Sequence, residues 1–177
     1  MPTRSLRWID QVNSGRINDD ASGFLSKTCK GRVSCLSKDP AGVAENLSYK
    51  PHYRSPSAEQ LIWTITYEMK ALIDVVNTGK CEWENITPPS LDEMIGMFEK
   101  WSTELLDKVA ALDEEAQQRS AQFLYQGTVV MERPTVEFLW DFMFDAIHHR
   151  GQVSAYLRPM GGKVHSIYGP SGDDAGM

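Results

Sequence analysis

Asp145 and His149 are the residues whose types and spacing point most directly to chemistry. They lie four apart within Phe138 to Leu157, a stretch that reads as one long helix, so they stand one turn apart on the same face. The stripe they share runs Phe138, Phe142, Asp145, His149, Gln152 and Tyr156, with alternating steps of four and three. A carboxylate on a stripe that faces a helical core is costly unless it is paired or bound to a cation. An acid and an imidazole at this spacing can reach one metal ion, and helical bundles build metal sites in this way. The same spacing also allows a plain carboxylate–imidazole hydrogen bond, and a helical register displaced by one residue would separate the pair from the core.

A metal requires a further ligand from another helix. Glu68, one turn beyond Thr64 on the inward side of an earlier helix, is a hard oxygen donor of the right kind. Thr64 is a weak ligand whose hydroxyl is better suited to holding a water. The competing reading of Glu68 is a surface carboxylate near Lys70, since charged residues are seldom buried without a partner. The candidate metal ligands are therefore Glu68, Asp145 and His149.

The neighbouring residues carry less. His148 points about 100° further round the helix and faces a neighbouring helix or solvent. His52 and His165 fall in connecting segments. Gly151, in mid-helix, costs about 1 kcal/mol against alanine, which suggests close approach of another backbone. Trp63, Trp83, Trp101 and Trp140 suit core or interface packing. There is no glycine-rich phosphate loop, no G-x-S-x-G elbow and no H-E-x-x-H motif.

The elements that must position these residues can be read from caps and periodicity. Ser57, with Gln60 three residues on, starts a helix whose apolar positions are Leu61, Ile65, Leu72 and Val75, and which stops at Gly79. Residues 80–89 read as a turn with Pro88 and Pro89. Ser90, with Glu93, starts the next helix, whose stripe runs Met94, Phe98, Trp101, Leu105, Val109 and Leu112. Residues 113–133 are polar and less regular, with a short β-prone piece at Thr128 to Met131. The last long helix starts near Pro134 or Thr135 and runs to about Met160, before Gly161 and Gly162. An earlier helix is predicted over Asp20 to Ser37, and a long connection over 39–56. The expected fold class is all-α, a four-helix bundle in one domain over 1–177, with a helical core at about 20–160 and an irregular tail at 161–177.

Bulk properties narrow the function classes. The formal net charge of −6 disfavours a nucleic-acid partner, which needs an excess of Lys and Arg on one face. The three cysteines, Cys29, Cys35 and Cys81, form no CxxC pair, and their odd number suits a reducing compartment. No apolar run approaches the roughly 20 residues of a membrane span, and the first residues lack a signal peptide's apolar region. The expectation is a soluble, cytoplasmic protein with neither a nucleic-acid nor a membrane partner.

The run from Asp145 through His148, His149, Arg150, Gly151 and Gln152 to Arg158, followed by Gly161-Gly162-Lys163-Val164 and Ile167 to Ser171, resembles the C-terminal signature of the DinB-like family. Ser57-Ala58-Glu59-Gln60-Leu61 is similar to the start of that family's second helix. The resemblance implies a four-helix bundle of the DinB-like type, often a homodimer. It also implies a divalent metal such as nickel or zinc held by three residues, usually histidines, with one on the second helix and two at i and i+4 on the last. Relatives include maleylpyruvate isomerase, which uses mycothiol, and transferases that use bacillithiol or related thiols. By position His149 matches the last ligand, and Asp145 stands where most members have His and some a carboxylate.

Thr64 stands where the second-helix His is expected. Either Glu68 supplies that ligand or the site is weakened. Two carboxylates and one His favour harder ions, Mn²⁺, Fe²⁺ or Mg²⁺, with Zn²⁺ and Ni²⁺ still admissible. The implied activity is that of a metal-dependent transferase, isomerase or hydrolase. It would act on a small electrophilic molecule with a low-molecular-weight thiol as a further cofactor. The alternative is a non-enzymatic DinB-like binding or structural protein with a degenerate metal site.

Overall fold

The computed structural model describes residues 46–166 and 169–175. The helix expected over 20–37, and Cys29 and Cys35, lie outside the described residues.

Helix α1 spans Ala58–Thr78. Ser57 caps it as expected: its hydroxyl accepts from the Gln60 amide, and the Gln60 side chain accepts from the Ser57 amide at 2.8 Å. These reciprocal bonds satisfy donors that a helix start leaves without partners. The helix stops at Gly79, whose φ of 72° is left-handed and whose N–H returns to the Val75 carbonyl at 2.8 Å. Strand β1, Lys80–Trp83, follows at once. Helix α2, Leu91–Ala110, starts on the predicted Ser90–Glu93 capping box. A short helix α3, Glu114–Gln118, precedes strands β2, Ser120–Tyr125, and β3, Thr128–Pro134. Helix α4, Thr135–Leu157, follows directly.

Both α2 and α4 pack on α1. The central helix is accordingly buried on almost every side, through Leu61, Ile65, Met69, Leu72 and Val75 among others. Met94, Phe98, Leu105 and Val109 of α2 meet it from one flank. Phe138, Met143, Ala146 and Val153 are among the buried positions of α4.

The expected all-α four-helix bundle is corrected by the sheet. The described chain is mainly helical but carries a three-stranded mixed sheet in the order β1-β2-β3. β1 runs parallel to β2, and β2 runs antiparallel to β3. Parallel neighbours need a long crossover, supplied here by α2 and α3, which fill the chain between β1 and β2. The turn expected at 80–89 thus begins as a strand, and the irregular stretch at 113–133 holds a short helix and a hairpin. Gln126 and Gly127, both at positive φ, make the hairpin turn.

The sheet is pinned to the helices at two points. Arg119 donates to the Val75 and Val76 carbonyls, at 3.3 and 2.6 Å, placing a cation on the C-terminal end of α1. Thr135, fully buried, donates to the Arg119 carbonyl through both its amide and its hydroxyl, tying the start of α4 to β2. No helix among the described residues is long and apolar enough to cross a membrane.

Candidate metal centre and its aromatic cleft

Glu68 is 1% exposed, in the middle of α1. Helical periodicity carries its side chain toward α4, where it meets Asp145 and His149. Donor atoms of these three residues all lie within 4.8 Å of one another. The surface position considered for Glu68 is therefore not the one it takes, and Lys70 pairs instead with Asp74 on its own helix.

Asp145 and His149 are set differently from the sequence expectation. The fully buried stripe of α4 runs through Met143, Ala146 and Val153, and the acid and imidazole stand on its flank. The Asp145 side chain is 54% exposed and that of His149 21%. They face the edge of the α1–α4 interface, over Glu68, and remain open to a ligand.

Within the triad, His149 Nε2 is 3.4 Å from Asp145 Oδ2. The hydrogen bond with Asp145 is the main cause that raises the His149 pKa above its ordinary value; burial opposes it and Gln152 adds to it. The Asp145 carboxyl is lowered, first by the His149 hydrogen bond and then, against burial, by a hydrogen bond from Glu68. Two carboxyl groups in hydrogen-bond contact, one of them buried, hold a proton or a cation between them, because two adjacent anions repel. Gln152 sits behind the imidazole, its Oε1 2.9 Å from His149 Nδ1. With Nδ1–H donated to that oxygen, Nε2–H of the protonated ring donates to Asp145, and loss of that proton would free Nε2 toward the same side for a metal. These residues fit a divalent cation: oxygen and nitrogen donors converge, one carboxyl is withdrawn from water, and the imidazole is held from behind.

Thr64 lies one turn before Glu68 at the same opening, and its hydroxyl donates to the Gln60 carbonyl at 2.9 Å. Glu68, not Thr64, is thus the α1 residue that brings a donor to the pair. The other histidines stand apart: His148 is exposed with its ring 5.4 Å from that of His149, His52 packs on Tyr53, and His165 pairs with Asp174. Among the described residues nothing lies within 4 Å of where a Gly151 Cβ would stand, so none of them makes the backbone approach expected there.

Glu68 and Asp145 form the acidic floor of a cleft of about 480 Å³. Its walls are what sequence reasoning missed. Trp83 of β1, Phe123 and Tyr125 of β2 and Met131 of β3 line one side, opposite Phe142 of α4. Register puts these residues on one face of the sheet, since Trp83 neighbours Tyr125 and Phe123 neighbours Met131. The rings run on from one another: Tyr67 to Trp83 at 5.0 Å, Trp83 to Phe123 at 6.2 Å, and Phe123 to Phe142 at 5.7 Å. Trp83, assigned from sequence to packing, does pack against the core and also lines the cleft. The alternation of Phe123 and Tyr125 just before Gln126-Gly127 was the available signal.

A family model for the DinB family matches residues 43–175. The chain belongs to the DinB family. No curated protein matches it. Among solved structures, this DinB-family chain is similar to a DinB-like protein from Bacillus subtilis, YjoA. The TM-score is 0.56 at 20% identity, covering 78% of this chain and 92% of the other. At that identity the likeness speaks for the fold. In this DinB-family chain the candidate ligands are two carboxylates and one imidazole, where the resemblance implies mostly histidines.

Proposed function

We propose that the protein is a divalent-metal-dependent enzyme acting on a small electrophilic molecule, with a low-molecular-weight thiol as co-substrate. One observation carries the reading: Glu68, Asp145 and His149, from two helices, bring donor atoms within 4.8 Å of one another. A divalent cation bound there would lower the pKa of a water or thiol in its open positions, making the nucleophile available near neutral pH. Glu68 would anchor the ion from the buried side, and its rigid place in the central helix fixes the depth of the site. Asp145 and His149 would close it from α4, with Gln152 holding the imidazole. The aromatic walls above exclude water from one side of the reacting groups.

Two carboxylates and one imidazole favour Mn²⁺ or Fe²⁺, with Zn²⁺ and Ni²⁺ also served by this donor set. Small-molecule chemistry is consistent with the cleft's volume, which lies in the range of small-molecule sites. Self-association as a homodimer belongs to the same proposal on the strength of the family resemblance.

The test is elemental analysis of protein purified without chelator or metal-affinity resin, followed by calorimetric titration with Mn²⁺, Fe²⁺, Zn²⁺ and Ni²⁺. Near-stoichiometric metal, lost in Glu68→Gln and His149→Ala variants that keep their helical signal, is the expected result. Protein that carries no metal and takes none up on titration would leave the non-enzymatic binding role as the better reading.

A further inference from the structure

The cleft combines an acidic floor with a wall of rings, and among the described residues that line it there is no cation. Its charged lining groups are Glu68, Asp141 and Asp145. Arg133 reaches Asp141 at 2.6 Å and is committed to that pair at the rim. A ring-shaped ligand gains by lying against Trp83 and Phe123, because aromatic pairs contribute beyond their buried area when offset or tilted. A dicarboxylate meets a different surface. A bound metal can take one of its carboxylates, but the second then lies among rings and beside Asp141, with no cation among the described lining residues to offset its charge, which is unfavourable.

We infer that the cleft recognises an aromatic or comparably flat unsaturated ring bearing no negative charge, with Trp83 and Phe123 as the specificity-determining residues. This rests on the proposed function for the location of the reacting end and names the substrate class of that same site. The selecting surface comes from the sheet, so it is set independently of the three donors, which all lie on helices.

The test uses benzyl alcohol, benzylamine and maleate as probes, with ligand-observed NMR and calorimetry on the full chain, both as purified and after chelation. The alcohol and the amine are expected to bind both forms. Maleate is expected to leave the chelated form unbound and to bind the as-purified form about tenfold more weakly than benzyl alcohol. Trp83→Leu and Phe123→Leu are each expected to weaken benzyl alcohol by about tenfold. Should either variant lose its helical circular dichroism, the wild-type chain labelled with fluorotryptophan gives the decision. Its Trp83 resonance, assigned against Trp83→Phe, must move on adding benzyl alcohol.

Maleate binding as tightly as benzyl alcohol, ring binding that ignores both substitutions in folded protein, or a stationary Trp83 resonance would each overturn the inference. Ring binding to the chelated protein does not involve the metal. Its failure is therefore distinguishable from failure of the metal reading, which the elemental analysis decides.

Discussion

Glu68 and Asp145 bring carboxylate oxygens within 4.8 Å of one another across the α1–α4 interface, the first buried at 1% exposure and the second open to the cleft. The contact places one acid where water cannot solvate it and the other where a ligand can arrive. Replacing the buried member tests what the contact is for. Glu68→Gln keeps the size and a hydrogen-bonding end but removes the anion. Calorimetry should show metal affinity falling by more than the roughly 10–100-fold typical of losing an outer-shell partner, with the thermal midpoint of chelated protein held or raised. An unchanged affinity would remove Glu68 from the ligand set.

Gln152 holds His149 from behind at 2.9 Å. Gln152→Leu removes the acceptor and should cost metal affinity by about 10–100-fold, whereas Gln152→Glu, which keeps an acceptor at that place, should retain it. Parallel losses in both variants would mean that the side chain matters for packing and not for orienting the imidazole.

Cys81 provides a pH prediction away from the triad. Burial first, and the nearby Asp74 charge second, push its thiol up from 9.0 to about 12. The unfolded chain loses this proton above about pH 9 while the folded chain keeps it. The group's contribution to stability is therefore complete below pH 9 and declines as pH rises toward 12. At pH 8 iodoacetamide should leave Cys81 unmodified in the native protein and modify it in denaturant, with peptide mapping separating it from Cys29 and Cys35. Fast native labelling of Cys81 would contradict its burial.

Two glycines should respond with opposite signs. Gly79 sits at φ +72°, and a Cβ there would lie 3.3 Å from the Ser120 carbonyl, where β2 passes close. Gly79→Ala is expected to destabilise by about 1–2 kcal/mol, since the left-handed conformation alone costs that much with a side chain. Gly151 lies within α4 with no described residue within 4 Å of where its Cβ would stand, so Gly151→Ala should stabilise by up to about 1 kcal/mol. Urea denaturation of the two variants measures both. Equal effects would show that local backbone geometry is not what distinguishes the positions.

What could be known from the sequence alone was local. Ser57 with Gln60, and Ser90 with Glu93, mark two helix starts because a capping box is made by residues three apart, and Gly79 marks a stop because its φ is a property of one residue. Asp145 and His149 are linked by helical spacing in the same way, and Glu68 was reachable by counting one turn from Thr64. The sheet was not reachable by such means. β1 is four residues long and pairs with a strand some 40 positions later, and the hairpin turn is Gln-Gly, where Asn-Gly or Asp-Gly would have announced itself.

The exposure of the site belonged to the tertiary structure as well. Periodicity says which residues share a helix face, but only the packing of α4 on α1 and the sheet decides which faces close. That packing buried Met143 and Ala146 and left Asp145 half exposed. The donors were therefore written in short-range spacing. The aromatic wall that stands over them exists only because long-range pairing of the strands brings Trp83 and Phe123 to Phe142.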